Sequence, residues 1–308
     1  MRSLSRCLVA AAISIGAIVS AVTPSAAITG GTEDTANKYS NVGMLVFYQP
    51  DGRFRCSGTL INPRVFLTAA HCTFNDVGKV AVTFDPEVAR TAEENALNVP
   101  RAADDSGPSD AHSEIGFAPS DVSGPKYQGD LTWHLGTART HPQYSDFTDM
   151  DNWNDTGVVI LDEPVNLPTA KLPPANYLDQ FAQPVLNSTE FLAVGYGTEV
   201  RQAASGSQKP TPMSLPIVRR YTTEIAQKLT PQVLQLNGNE NDIRAGGGTC
   251  FGDSGGPSFH GGYVIGDTSY GYTQNCRYLG GIQRVDAPVV RNWLLDCTAD
   301  LACASKDD

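Results

Sequence analysis

The ten residues Gly248-Thr249-Cys250-Phe251-Gly252-Asp253-Ser254-Gly255-Gly256-Pro257 constrain this chain more than any other stretch. Glycine brings neither apolar surface nor a regular backbone preference, and proline cannot continue a helix or a central strand. The segment is therefore a loop. Glycines on both sides of a serine leave its backbone bare, so a carbonyl compound can reach the Ser254 hydroxyl while the Gly252 and Ser254 N–H groups face a developing oxyanion. A plain Gly/Ser surface loop is the alternative, and the rest of the chain decides between the two.

Residues 1–27 stand apart. Arg2 and Arg6 precede an apolar run from Leu8 to Val22, and Pro24-Ser25-Ala26-Ala27 closes it. This is the layout of a secretory signal cut after Ala27, with a run short for a membrane span. Losing the two arginines takes the net charge from −11 to −13. Such a charge argues against nucleic acid and anionic membrane as partners, and for a secreted, extracellular protein. Beyond Cys7 in the signal, six cysteines remain, an even number that reads as disulfides in an oxidising compartment. Chain order suggests Cys56–Cys72, Cys250–Cys276 and Cys297–Cys303, the last from evenness alone. Metal binding is the other reading, but no Cys-x-x-Cys or His-x-x-x-His spacing accompanies them, so neither metal nor cofactor is expected.

Cleavage after Ala27 exposes Ile28-Thr29-Gly30-Gly31, an apolar terminus on a flexible stem. Val42 to Tyr48 and Phe54 to Ile61 read as a hairpin around Gln49-Pro50-Asp51-Gly52. The apolar run Val65 to Ala70 delivers His71 beside Cys72. Residues 85–123 are acidic and rich in proline, glycine and alanine with little periodicity. They read as a partly mobile surface insertion, with a short helix over Glu87–Asn95 as an option. Asp155 opens a buried strand through Leu161 and needs a partner if covered. A proline-rich linker over 166–184 separates a first half, 28–165, from a second, 185–296, followed by a tail, 297–308. Near the end Asp286 is a candidate cap for a helix with Pro288 in its first turn.

His71, Asp155 and Ser254 thus occur in the order His, Asp, Ser, one of three known chain orders for a hydrolytic triad. With Ile28-Thr29-Gly30-Gly31, Cys56-Ser57-Gly58-Thr59, Leu67-Thr68-Ala69-Ala70-His71-Cys72, Gly195-Tyr196-Gly197, Gly252-Asp253-Ser254-Gly255-Gly256-Pro257 and Ser269-Tyr270-Gly271, the chain resembles the chymotrypsin-like (trypsin-fold) serine peptidases. The resemblance implies an all-β fold of two packed six-stranded antiparallel β-barrels with a C-terminal α-helix. It also implies a serine endopeptidase acting on polypeptides, open to protein inhibitors and monomeric. Ser254 would be the nucleophile, His71 the general base, Asp155 its orienting acid, and Gly252 and Ser254 the oxyanion donors. Asp253 would pair with the ammonium of Ile28, so that signal cleavage alone yields active enzyme. Ser269, Tyr270 and Gly271 would bind substrate by strand addition.

Gly248 and Thr249 stand where trypsin-like members carry a pocket-floor aspartate. An uncharged pocket is therefore expected, favouring apolar or mid-sized side chains, unless Asp267 or Arg277 reaches in. Two rivals remain. Gly252-Asp253-Ser254-Gly255-Gly256 also fits the nucleophile elbow of α/β-hydrolase esterases, with His260 the only histidine downstream. A catalytically silent binding protein on the same fold is the other.

Overall fold

The computed structural model describes residues 28–105, 113–124, 127–201, 211–239, 242, 244 and 246–308. The proposed signal segment lies outside the described residues. Twelve strands build two closed barrels. The first uses β1 (Val42–Gln49), β2 (Gly52–Asn62), β3 (Val65–Thr68), β4 (Val80–Thr83), β5 (Trp133–Thr140) and β6 (Gly157–Leu161), in the ring order β1-β2-β3-β6-β5-β4. The second uses β7 (Glu190–Gly195), β8 (Arg220–Leu229), β9 (Val233–Asn237), β10 (Pro257–His260), β11 (Tyr263–Gly271) and β12 (Leu279–Arg284). It repeats that order as β7-β8-β9-β12-β11-β10 and closes through the β7–β8 pairing. Every pairing between barrel strands is antiparallel. The parallel sheet an α/β-hydrolase requires is absent from the described residues, which removes the nucleophile-elbow reading.

The period-2 alternation of β1 explains what the insertion does. Its odd positions Leu45 and Phe47 enter the first barrel's core with Leu60, Phe66, Val82 and Val159. Its even positions Met44, Val46 and Tyr48 are equally buried, on the outer face, under Val88, Val99, Ala102, Phe117 and Val122. The described parts of 85–123 are therefore a packed cover rather than a surface excursion. Within them the helix is α1 (Ala92–Asn98), later than Glu87–Asn95, because Thr91 and Glu94 form a reciprocal capping box. Residues 87–89 instead pair as a strand with Ile217–Val218. A second short helix, α2 (Pro119–Val122), follows.

Helix α3 (Pro288–Asp300) buries Val290, Trp293, Leu294 and Cys297. Its cap differs from the expected one. Ala287 occupies the N-cap without a side-chain bond, while the Asp286 carboxylate binds Arg284 at 2.8 Å and accepts the Leu178 N–H. Disulfides join Cys56 to Cys72, Cys250 to Cys276 and Cys297 to Cys303. No helix among the described residues is long and apolar enough to cross a membrane.

Both ends of the described chain bind the barrel they do not belong to. Thr32 and Glu33, ahead of the first barrel, pair with Tyr221 and Arg220 on β8. After α3, the Thr140 N–H on β5 donates to Ser305 Oγ, Lys306 N–H donates to the Thr140 carbonyl, and Arg139 meets Asp308 at 2.6 Å.

Candidate active site

His71 sits in a single 3₁₀ turn, Ala70–Cys72, directly after β3, and the Cys56–Cys72 bridge ties that turn to β2. Its ring Nδ1 lies 2.9 Å from Asp155 Oδ2 and 3.1 Å from Oδ1, and its backbone N–H donates to Oδ1 at 2.9 Å. Asp155 is fully buried. Oδ2 also accepts the Ser269 hydroxyl at 2.6 Å, and Ser269 in turn accepts the Trp153 indole N–H at 2.9 Å. Ser269 can aim at Asp155 because the β11–β12 register breaks between Thr268 and Tyr270, and such a bulge redirects a side chain. His71 is also near Cys56 and Cys72, but those sulfurs are bonded to each other and offer no thiolate.

Burial alone would lower the His71 pKa. The Asp155 charge and hydrogen bond, with a smaller contribution from Asp146, outweigh it and leave the imidazole above its ordinary value of 6.5. The pair therefore stabilises the fold most fully below that ordinary value, and the contribution fades as pH rises through the raised one. A general base must be neutral, so activity runs the other way. The kcat/KM of a peptidase using His71 is expected to climb with pH, with its half-maximum above 6.5. A half-maximum clearly below that value in a pH–rate profile contradicts this.

The serine loop is pinned to the first barrel. Ser57 on β2 donates its N–H to the Ser254 carbonyl and its hydroxyl to the Gly252 carbonyl, both at 2.8 Å. Gly255, at φ +75°, brings the loop against the end of β3, where an added Cβ would lie 2.0 Å from Thr68 Oγ1 and 2.6 Å from Ala69 N. Only glycine permits that approach so near His71. Among the described residues no hydrogen bond joins the Ser254 hydroxyl to the imidazole, whose Nδ1 is taken by Asp155. Within the loop the N–H groups of Cys250, Asp253, Gly255 and Gly256 have acceptors, while those of Gly252 and Ser254 have none among the described residues.

Asp253 is buried and accepts the Gly197 and Cys250 N–H groups at 2.7 and 2.9 Å. Burial still pushes its carboxyl up to about 7, with those bonds and the charges of Arg55 and Arg220 opposing. Ile28 is fully buried, and the Thr29 carbonyl accepts the Gly248 N–H at 2.9 Å, which holds the segment against the loop leading to Asp253.

Ser254, Thr249, Ser269, Tyr270 and Gly271 line one cavity of about 280 Å³. Gly248 does not line it. The expected absence of charge fails here, because Glu224 on β8 is part of the wall. Asp267 and Arg277 do not reach in; Asp267 accepts the Thr156 hydroxyl at 2.9 Å behind Asp155. β10 stops pairing with β11 at Asp267, so residues 269–271 have no strand partner on that side among the described residues. His260 lies elsewhere, bonded to the Tyr177 hydroxyl at 2.9 Å. Glu224 and Trp153 escaped the sequence reading, and Ser57 entered it only as part of a motif, without its contacts to the serine loop. Glu224 shares strand parity with buried Thr222 and Ala226, whereas the large apolar residues Tyr221 and Ile225 sit on the other parity, so alternation along the chain gives no sign that it points inward.

The model of the Trypsin family matches residues 28–115 and 123–294. Brachyurin of Leptuca pugilator is 26% identical over 260 residues, 81% of this chain and 88% of that protein. Alkaline trypsin B of Manduca sexta is 27% identical over 280 residues, 87% and 89% of the two chains. Among solved structures, HL collagenase has a TM-score of 0.56 at 18% identity, covering 87% of this chain and 97% of that one. Human heparin binding protein has a TM-score of 0.55 at 17% identity, covering 89% and 98%.

Proposed function

Because the chain belongs to the trypsin family, whose relatives here are serine endopeptidases, we propose that it is a secreted endopeptidase working through an acyl-enzyme on Ser254. Ser254 Oγ attacks the substrate carbonyl as His71 takes its proton. The tetrahedral oxyanion is met by the unoccupied N–H groups of Gly252 and Ser254, and the C–N bond breaks as His71 returns the proton to the departing amine. Water then repeats the sequence on the ester, releasing the acid and restoring Ser254. Substrate lies along the unpaired side of residues 269–271 as an added strand.

The observation that carries this reading is the buried Asp155 carboxylate, which spends its oxygens on the His71 ring, the His71 backbone and Ser269. That arrangement fixes the imidazole tautomer a base requires. Among the described residues Asp253 makes no ion pair, Arg55 and Arg220 acting only through their charges; the ammonium of a chain beginning at Ile28 would be its partner, and on this reading signal cleavage alone yields active enzyme.

Treatment of secreted protein with a sulfonyl fluoride is expected to label Ser254 and to stop peptide hydrolysis. Mass spectrometry of the same sample should show Ile28 as the first residue. Failure to label Ser254, or equal labelling of Ser254→Ala, supports a silent binding protein instead. An upstream start restores a propeptide.

A further inference from the structure

The cavity beneath Ser254 contains a carboxylate on a strand that the serine-loop motif does not include. Glu224 is 2% exposed and lines the same cavity as Ser254, Tyr270 and Gly271. Its Oε1 accepts the Thr249 N–H at 3.2 Å, which fixes the side chain at the loop where the cavity begins. It makes no ion pair among the described residues. The position that a floor acid would otherwise take is closed. A Cβ on Gly248 would lie 2.2 Å from the Gly238 carbonyl oxygen and 2.5 Å from its Cα, so residue 248 must be glycine and β8 must supply any charge.

We propose that Glu224 determines specificity, making this a pocket for a cationic side chain, lysine or arginine, on the residue whose carbonyl Ser254 attacks. This rests on the proposed peptidase reading. A cavity of about 280 Å³ suits one long side chain, whose stem would run past Tyr270 and whose charge would meet the buried carboxylate. Burial raises the Glu224 carboxyl to about 7, with the Thr249 N–H opposing and the like charge of Asp253 adding to it. The empty pocket thus alternates between neutral and charged forms near neutrality, and a bound cation draws it to the charged one. Preference for lysine or arginine over phenylalanine or leucine should consequently widen as pH rises through about 7.

Glu224→Gln keeps the size of the side chain and an oxygen for the Thr249 N–H, so a role confined to holding the loop survives it. Relative kcat/KM for lysine or arginine peptides against phenylalanine or leucine peptides is expected to fall about 10- to 100-fold in Glu224→Gln, the worth of a charged hydrogen bond, and to lose its dependence on pH. An unchanged ratio, or a wild-type preference for neutral residues, overturns the proposal and leaves the peptidase standing. Benzamidinium binding to Ser254→Ala, measured by calorimetry with and without Glu224→Gln, separates the two readings. Glu224-dependent binding without any hydrolysis supports the pocket while the peptidase reading falls, and no binding overturns the pocket assignment.

Discussion

Ser254→Ala is expected to lower kcat about a million-fold with little change in KM, because removing the nucleophile of a cooperating triad removes nearly all that the triad contributes. Asp155→Asn should cost about ten-thousand-fold for a reason visible in its contacts. Every neighbour of the Asp155 carboxylate is a donor: the His71 N–H, the His71 ring and the Ser269 hydroxyl. An amide must turn its NH₂ toward one of them. Turned toward Oδ2's place, it forces Nδ1 to become an acceptor and hands the imidazole proton to the nitrogen that should take one from Ser254. Turned the other way, it faces the His71 backbone N–H. The Ser254→Ala variant should melt near the parent, which separates lost chemistry from lost fold, whereas Asp155→Asn should melt lower because a buried donor is left facing its NH₂. A Ser254→Ala protein retaining even a hundredth of the parent's kcat is incompatible with the mechanism.

Arg219→Met is expected to lower unfolding free energy by about 3–5 kcal/mol, the usual penalty for removing one partner of a buried ion pair. Arg219 is fully buried and meets Asp34 at 2.9 Å. It also donates to the Val42 and Phe84 carbonyls at 2.9 and 3.0 Å, to the Tyr196 hydroxyl at 3.1 Å and to Asn37. Those acceptors belong to the leading segment, the first barrel and the entry to the second, so methionine strands polar groups at the junction of all three. Denaturant titration reads this directly, and a loss below about 1 kcal/mol would mean that water replaces the guanidinium.

The two-barrel fold followed from the family resemblance, and the His71–Asp155 contact was legible because each residue sits in a short local pattern: a histidine ahead of a bridging cysteine, an aspartate opening an apolar strand. What depends on contacts between distant segments was not. Glu224 belongs to a strand read only as part of the second half, and its meaning appears when β8 closes against Gly238 and Gly248. Asp286 looked like a cap by spacing, yet Arg284 and the Leu178 N–H hold it in ways no local window reveals. The cover over β1 has a counterpart in the sequence, the unbroken run Val42-Gly43-Met44-Leu45-Val46-Phe47-Tyr48. Seven consecutive buried residues, Val42–Tyr48, do not suit a strand with one wet face.

The exchange of chain ends between the barrels clasps each half to the other. Prying the halves apart would tear Thr32 and Glu33 from one and Ser305 to Asp308 from the other, so any separation of the barrels must break both clasps. For the proposed peptidase, halves clasped in this way favour protruding loops and unravelled stretches as substrate over the interiors of compact domains.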